Sequence, residues 1–115
     1  MTEKQFEKKV KAFLDEQGVW WLKTWSNGIQ REGVPDLLIC CNGYFIGVEL
    51  KNETGHPSAL QLWNIDQIRK AGGIAIVLYP DQFDEFKDLI QIAIENIPDE
   101  MYEMQFGFDR REKTK

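Results

Sequence analysis

The chain has 115 residues, 43% of them hydrophobic and 29% charged, with a net charge of −5. That is the length of one domain with a modest core, and no apolar run approaches the roughly 20 residues a membrane span needs. The acidic balance excludes nucleic-acid binding by bulk charge alone, leaving a local basic rim (Lys23, Arg31, Lys51, Arg69, Lys70) or a bound cation to restore positive charge.

The first residues, Met1 to Gln5, lack the apolar core of a signal peptide, so an intracellular, cytoplasmic protein is expected. Thr2 to Gln17 predicts a helix, with Thr2 as cap and Gly18 just beyond its end. Phe6, Val10, Phe13 and Leu14 fall on one face at helical spacing. Glu7 borders that stripe and Glu3 lies one turn earlier in the same sector; both also suit the positive end of the helix dipole. Val19 to Trp25, rich in aromatic and β-branched residues, predicts a strand, and Ser26 to Val34 a polar loop.

The most informative stretch follows. Pro35-Asp36 precedes the apolar run Leu37 to Cys41, then Asn42-Gly43, then Tyr44 to Lys51. Asn-Gly between two β-prone runs signals a two-residue hairpin. With Cys41 paired to Tyr44, the register sets Asp36 opposite Glu49, with Cβ atoms roughly 5 Å apart on one sheet face, and Lys51 projects from that face too. Two carboxylates so close repel one another unless a cation stands between them. The alternatives are a turn aspartate after Pro35 and a solvated strand edge at Glu49 and Lys51. Against the second, Tyr44, Ile46, Val48 and Leu50 commit the other face to the core, and Gly47 leaves open space beside Glu49. The pattern therefore reads as a divalent-metal site with a lysine beside it. Cys40 and Cys41 are adjacent on a strand and face opposite ways, so they read as packed thiols.

Asn52 to Pro57 is a second polar loop, and its His56, the only histidine, reads as a loop residue. Ser58 to Ala71 predicts a helix closed by Gly72-Gly73. In it Gln61 lies between Ile65 and Ile68 on the inward face; it either boxes back to Ser58 or serves the site, and the site is the reading taken. Ile74 to Tyr79 predicts a buried strand stopped by Pro80. Asp81 then caps a helix to about Asn96 with Phe83, Phe86, Ile90, Ala93, Ile94 and Ile97 inward, and Pro98 ends it. The expected domain is 1–98 with a polar tail over 99–115. The element order is α-β-β-β-α-β-α, an α/β fold with a central mixed sheet flanked by helices.

Gly33-Val34-Pro35-Asp36, then Val48-Glu49-Leu50-Lys51, then Leu60-Gln61 in a helix, resembles the PD-(D/E)XK nuclease superfamily. Specifically it is similar to the compact virus-type replication-repair nuclease (VRR-NUC) domain, from Glu7 to about Leu89. The resemblance implies a restriction-endonuclease-like core and a Mg²⁺- or Mn²⁺-dependent endodeoxyribonuclease. It implies that Asp36, Glu49 and the Leu50 carbonyl hold the metal, that Lys51 acts on the attacking water, and that Gln61 orients Lys51 or that water. The acidic residue of the first helix matches Glu7 best, with Glu3 the alternative. Asn27, Gln30 and Arg31 are expected phosphate contacts by position. Stand-alone members resemble Holliday-junction resolvases, so the resemblance implies a homodimer acting on branched DNA in repair or recombination, encoded by a phage or prophage. The competing expectations are a less selective nicking nuclease, a non-catalytic DNA-binding module of the same fold, and a metal-stabilised structural subunit.

Overall fold

The structure, a computed structural model, describes residues 1–25 and 32–109. Helix α1 (Glu3–Glu16) starts at a capping box in which the Thr2 hydroxyl accepts from the Gln5 N–H and the Gln5 side chain accepts from the Thr2 N–H. Strands β1 (Trp20–Lys23), β2 (Leu37–Cys41) and β3 (Tyr44–Leu50) form an antiparallel meander. The β2–β3 turn is made by Asn42 and Gly43, both at positive φ (52° and 85°), and Cys41 pairs with Tyr44 as the hairpin pattern requires. Helix α2 (Ala59–Lys70) then carries the chain to β4 (Ile74–Leu78), which runs parallel to β3, so the sheet order is β1-β2-β3-β4.

The sheet separates two apolar clusters. On one face Phe6, Val10 and Leu14 of α1, together with Phe86, Leu89 and Ile90, cover Leu37, Ile39, Ile46, Val48, Leu50 and Ile76. On the other, Ile65 and Ile68 of α2 pack on Ala75, Val77 and Tyr79. Cys40 is exposed and Cys41 buried, both free thiols, as strand alternation requires. Among the described residues no helix is long and apolar enough to cross a membrane.

The second half of the chain departs from expectation in three places. Asp81 does not cap the long helix: Pro80–Gln82 forms a short 3₁₀ turn, and α3 begins at Phe83 (Phe83–Glu95). The buried face of α3 is Phe86, Leu89, Ile90 and Ala93, while Ile94 and Ile97 are exposed. At about 100° per residue, burying Leu89 turns the inward axis away from Ile94, and Asn96 in the left-handed region (φ 59°) has ended the helix before Ile97. The largest correction concerns the expected tail. Pro98 opens a further helix, α4 (Pro98–Met104), followed by a 3₁₀ turn over Gln105–Asp109, and Met101 (0% exposed) and Phe108 (3%) join the main core. The domain therefore extends to Asp109, not 98. The basic end of the expected tail lies outside the described residues.

This C-terminal segment covers the β4 edge. Gln105 Oε1 accepts from the Ala75 N–H (3.1 Å), and Arg69 Nε donates to the Ala75 carbonyl (3.0 Å). Arg69 is itself held by both carboxylate oxygens of Asp109 (2.8 and 3.0 Å). These side chains take the place of a neighbouring strand and block edge-to-edge association. Gln105→Ala strands a buried N–H, so urea unfolding should show a loss of about 1–3 kcal/mol, whereas Gln91→Ala on the exposed face of α3 should be neutral.

Candidate metal centre

The site is assembled where β2 begins and β3 ends. Gly33 stands at φ 78°, and a Cβ there would meet Leu60 Cγ at 2.6 Å, so only glycine lets the chain pass under α2 into Val34-Pro35-Asp36. Thr24 then secures the segment, its N–H donating to the Asp36 carbonyl (2.9 Å) and its hydroxyl to the Pro35 carbonyl (2.8 Å). The β2–β3 ladder ends at Leu37 paired with Val48, and one step beyond it Asp36 meets Glu49. Asp36 Oδ2 accepts the Leu50 N–H at 2.8 Å, which locks the carboxylate against β3.

Glu49 is only 2% exposed, and among the described residues its Oε1 is buried without a hydrogen-bond partner. Lys51 Nζ lies 3.3 Å from Oε2. Burial, and then the charge of Asp36, push Glu49 up to about 8, more than Lys51 can offset. Near neutral pH the metal-free site therefore holds a proton on Glu49. The expectation of open space at Gly47 is corrected by what surrounds it. A Cβ at Gly47 would sit 3.0 Å from Pro35 Cγ and 3.2 Å from Ile68 Cδ1, so glycine is there to let Pro35 and α2 close over the strand.

Glu3 and Glu7 of α1 both border the site, in different ways. Glu7 Oε1 is 2.7 Å from Lys23 Nζ and Oε2 is 2.8 Å from Lys11 Nζ. Burial works against the Glu7 charge, but the hydrogen bonds from the two lysines prevail and hold its pKa below the usual value. Lys23 also reaches Asp36 Oδ1 at 3.5 Å, which links Glu7 to the central pair. Burial opposes the Lys23 charge, yet Glu7 and Asp36 raise its pKa. Glu3 is raised by burial and then by Asp36, with Lys51 and Lys23 pulling the other way, so Glu3 lies within electrostatic reach of the pair itself.

Gln61 is not delivered to Lys51. Its Oε1 accepts the Ser58 N–H (2.8 Å) and its N–H donates to the Ser58 hydroxyl (3.1 Å), a complete capping box. The first turn of α2 needs that acceptor, and the box supplies it locally at no cost in chain ordering. Asn27, Gln30 and Arg31 lie outside the described residues.

Lys23 is the site residue that sequence reasoning missed, having placed it only in a basic rim. The signal is its parity: Lys23 pairs with Leu37, on the core side of the sheet, one step from Asp36. A lysine there must find carboxylates. Beside it a groove of about 620 Å³ opens between β1, β2 and α2, walled by Trp25, Pro35, Leu38, Phe45 and Ile68.

The donors suit a hard divalent cation. Asp36 and Glu49 present carboxylate oxygens, among the described residues Glu49 Oε1 lacks a donor, and burial, followed by like charge, opposes ionising both. Mg²⁺ is commonly held by one or two carboxylates with water and substrate phosphate completing its shell. Among the described residues no cluster of three or more His, Cys, Asp or Glu side chains converges as a closed metal cage, which sets the arrangement apart from a structural zinc site. No protein-family model matches the chain, and comparison with characterised proteins likewise finds no match.

Proposed function

We propose that this chain is a Mg²⁺- or Mn²⁺-dependent endodeoxyribonuclease with a restriction-endonuclease-like core, nicking branched DNA as a homodimer. The observation that carries the reading is the meeting of Asp36 with a buried Glu49 whose Oε1 has no donor among the described residues, with Lys51 3.3 Å from the other oxygen. A purely structural pair has no reason to bury one carboxylate against another, since that costs stability unless a cation or a chemical role compensates. The α-β-β-β-α-β-α order of the elements up to α3 and the Gly33-to-Asp36 and Glu49-to-Lys51 motifs support the same assignment.

In this reading Asp36, Glu49 and the Leu50 carbonyl hold the ion. When bound, it lowers the pKa of a water and offsets charge on the scissile phosphate. Asp36 is preorganised for that task by the Leu50 N–H, and Glu49 by its burial on β3. The Lys51 ammonium stands beside Glu49, placed to hydrogen-bond the attacking water and to stabilise negative charge on the phosphoryl oxygens. Its backbone N–H donates to the Leu78 carbonyl (3.1 Å), which anchors the catalytic end of β3 to β4. The groove walled by Trp25 and Phe45 opens beside this machinery and offers DNA an approach.

The test is cleavage of labelled four-way junction, flap, single-stranded and linear duplex DNA with Mg²⁺ or Mn²⁺, with Glu49→Ala as control. Paired symmetric nicks confined to the junction are the expected result. Cutting of every substrate would keep the nuclease and remove the junction preference; binding without cutting would favour a DNA-binding module. Lys51→Ala is expected to lose at least about 100-fold in turnover, the usual scale for removing a charge-stabilising group, while still binding Mn²⁺ in a calorimetric titration. Loss of that titration would contradict the role given to Lys51.

A further inference from the structure

We propose that Lys23 fills the position a second cation would take, so that the centre accepts a single divalent ion. This rests on the metal-nuclease reading and specifies its cation content. Lys23 Nζ bridges Glu7 Oε1 (2.7 Å) and Asp36 Oδ1 (3.5 Å), which is how a cation shared by those two carboxylates would be placed. Glu7 is doubly occupied, because Lys11 takes its other oxygen at 2.8 Å. Both of its carboxylate oxygens are therefore already engaged by ammonium groups. The open demand is elsewhere: among the described residues Glu49 Oε1 is buried without a hydrogen-bond partner.

Charge counting leads to the same place. Among the described residues Glu3, Glu7, Asp36 and Glu49 face Lys11, Lys23 and Lys51, leaving one negative charge uncompensated when all are ionised. One divalent ion turns that into one positive charge, which a single phosphodiester neutralises. A second divalent ion would leave two further positive charges in a partly buried site, an arrangement the desolvation cost opposes. A lysine in place of a metal also needs no uptake from solution, and its backbone is fixed on β1 opposite Leu37.

The test counts bound ions. Metal-free protein is titrated with Mn²⁺, with uptake followed by calorimetry and by loss of the free-ion paramagnetic resonance signal. One ion per chain is expected for the unaltered protein and for Lys23→Arg, and two for Lys23→Gln, which keeps a hydrogen bond to Glu7 but removes the charge. The dependence of cleavage rate on Mn²⁺ should steepen in parallel, its log–log slope at low metal rising from one to two. Two ions on the unaltered chain, or one on a folded Lys23→Gln, would overturn the proposal. A measurement on the unaltered chain guards against misfolding of the variant: the Lys23 ammonium resonance should keep its slow exchange and its Glu7 pairing on saturation with Mg²⁺, and its release would equally overturn the assignment. Failure of the unaltered chain to take up any ion would sink the metal-nuclease reading itself, whereas a one-ion result for both proteins removes only the role of Lys23.

Discussion

Glu49→Gln is expected to abolish Mn²⁺ uptake and cleavage while making the metal-free protein more stable at pH 8 than the unaltered chain. The carboxyl of Glu49 is pushed up to about 8 by burial and by Asp36, against an ordinary value of 4.5. Between those values the native state holds a proton that the unfolded chain has released. Stability therefore falls as pH rises through that window, and is level on either side of it. Glutamine keeps the shape and has no proton to lose, so its curve lacks that slope. At pH 5 the two proteins should melt together; by pH 8 the variant should be ahead by about 3 kcal/mol, below the ceiling that the full shift sets. Glu3, raised by burial and Asp36, contributes a slope of the same sign and keeps it in both proteins. Glu7, whose pKa is depressed, acts only in acid, where its stabilisation is lost as pH falls, and Lys23, whose pKa is raised, only in strong alkali. Thermal denaturation in chelator across pH 5 to 9 reads the comparison directly. A variant that melts lower than the unaltered chain at pH 8 would refute the opposed, cation-seeking pair.

Truncation after Pro98 should leave a chain that no longer unfolds cooperatively. The deleted segment contributes Met101 and Phe108 to the main core, Gln105 to the β4 edge, and Asp109 to the clamp on Arg69. Removing a fully buried Met or Phe side chain costs about 2–5 kcal/mol each, and a domain of this size has only about 5–15 kcal/mol in total. Met101→Ala alone should fall within that per-residue range by urea denaturation with an unchanged m-value. A truncated chain with the full sigmoidal transition would show that the segment is an accessory layer and not part of the cooperative unit.

How much of this was legible in advance depended on the range of the interactions involved. The hairpin was readable because Asn42-Gly43 specifies both turn type and register, and register alone brings Asp36 to Glu49. The caps at Thr2 and Ser58 were readable for the same reason, being contacts over three residues. Gln61 was misjudged because two local rules competed: its place on the inward stripe suggested the site, but the capping box is satisfied within the same turn. Ile94 was misjudged because a helix of mean apolarity on several sides does not declare which arc faces the sheet; Leu89 won that arc through packing. The segment after Pro98 read as polar because its buried residues are sparse, and no short-range pattern reveals that Gln105 completes a strand 30 residues earlier.

By itself the sequence determined the elements that contacts within a few residues decide: the first three strands, the register of the hairpin, the two capped helices, and the carboxylate pair with Lys51 beside it. Only the tertiary structure decided what depends on elements distant in the chain. It set the burial of Glu49, the closing of Pro35 and Ile68 over Gly47, the bridge from Lys23 to Glu7 and Asp36, and the closing of the β4 edge by Gln105 and Arg69. The physical reason is that hydrogen-bonded turns and strand alternation are local constraints, whereas desolvation and ion pairing depend on which surfaces the folded chain brings together.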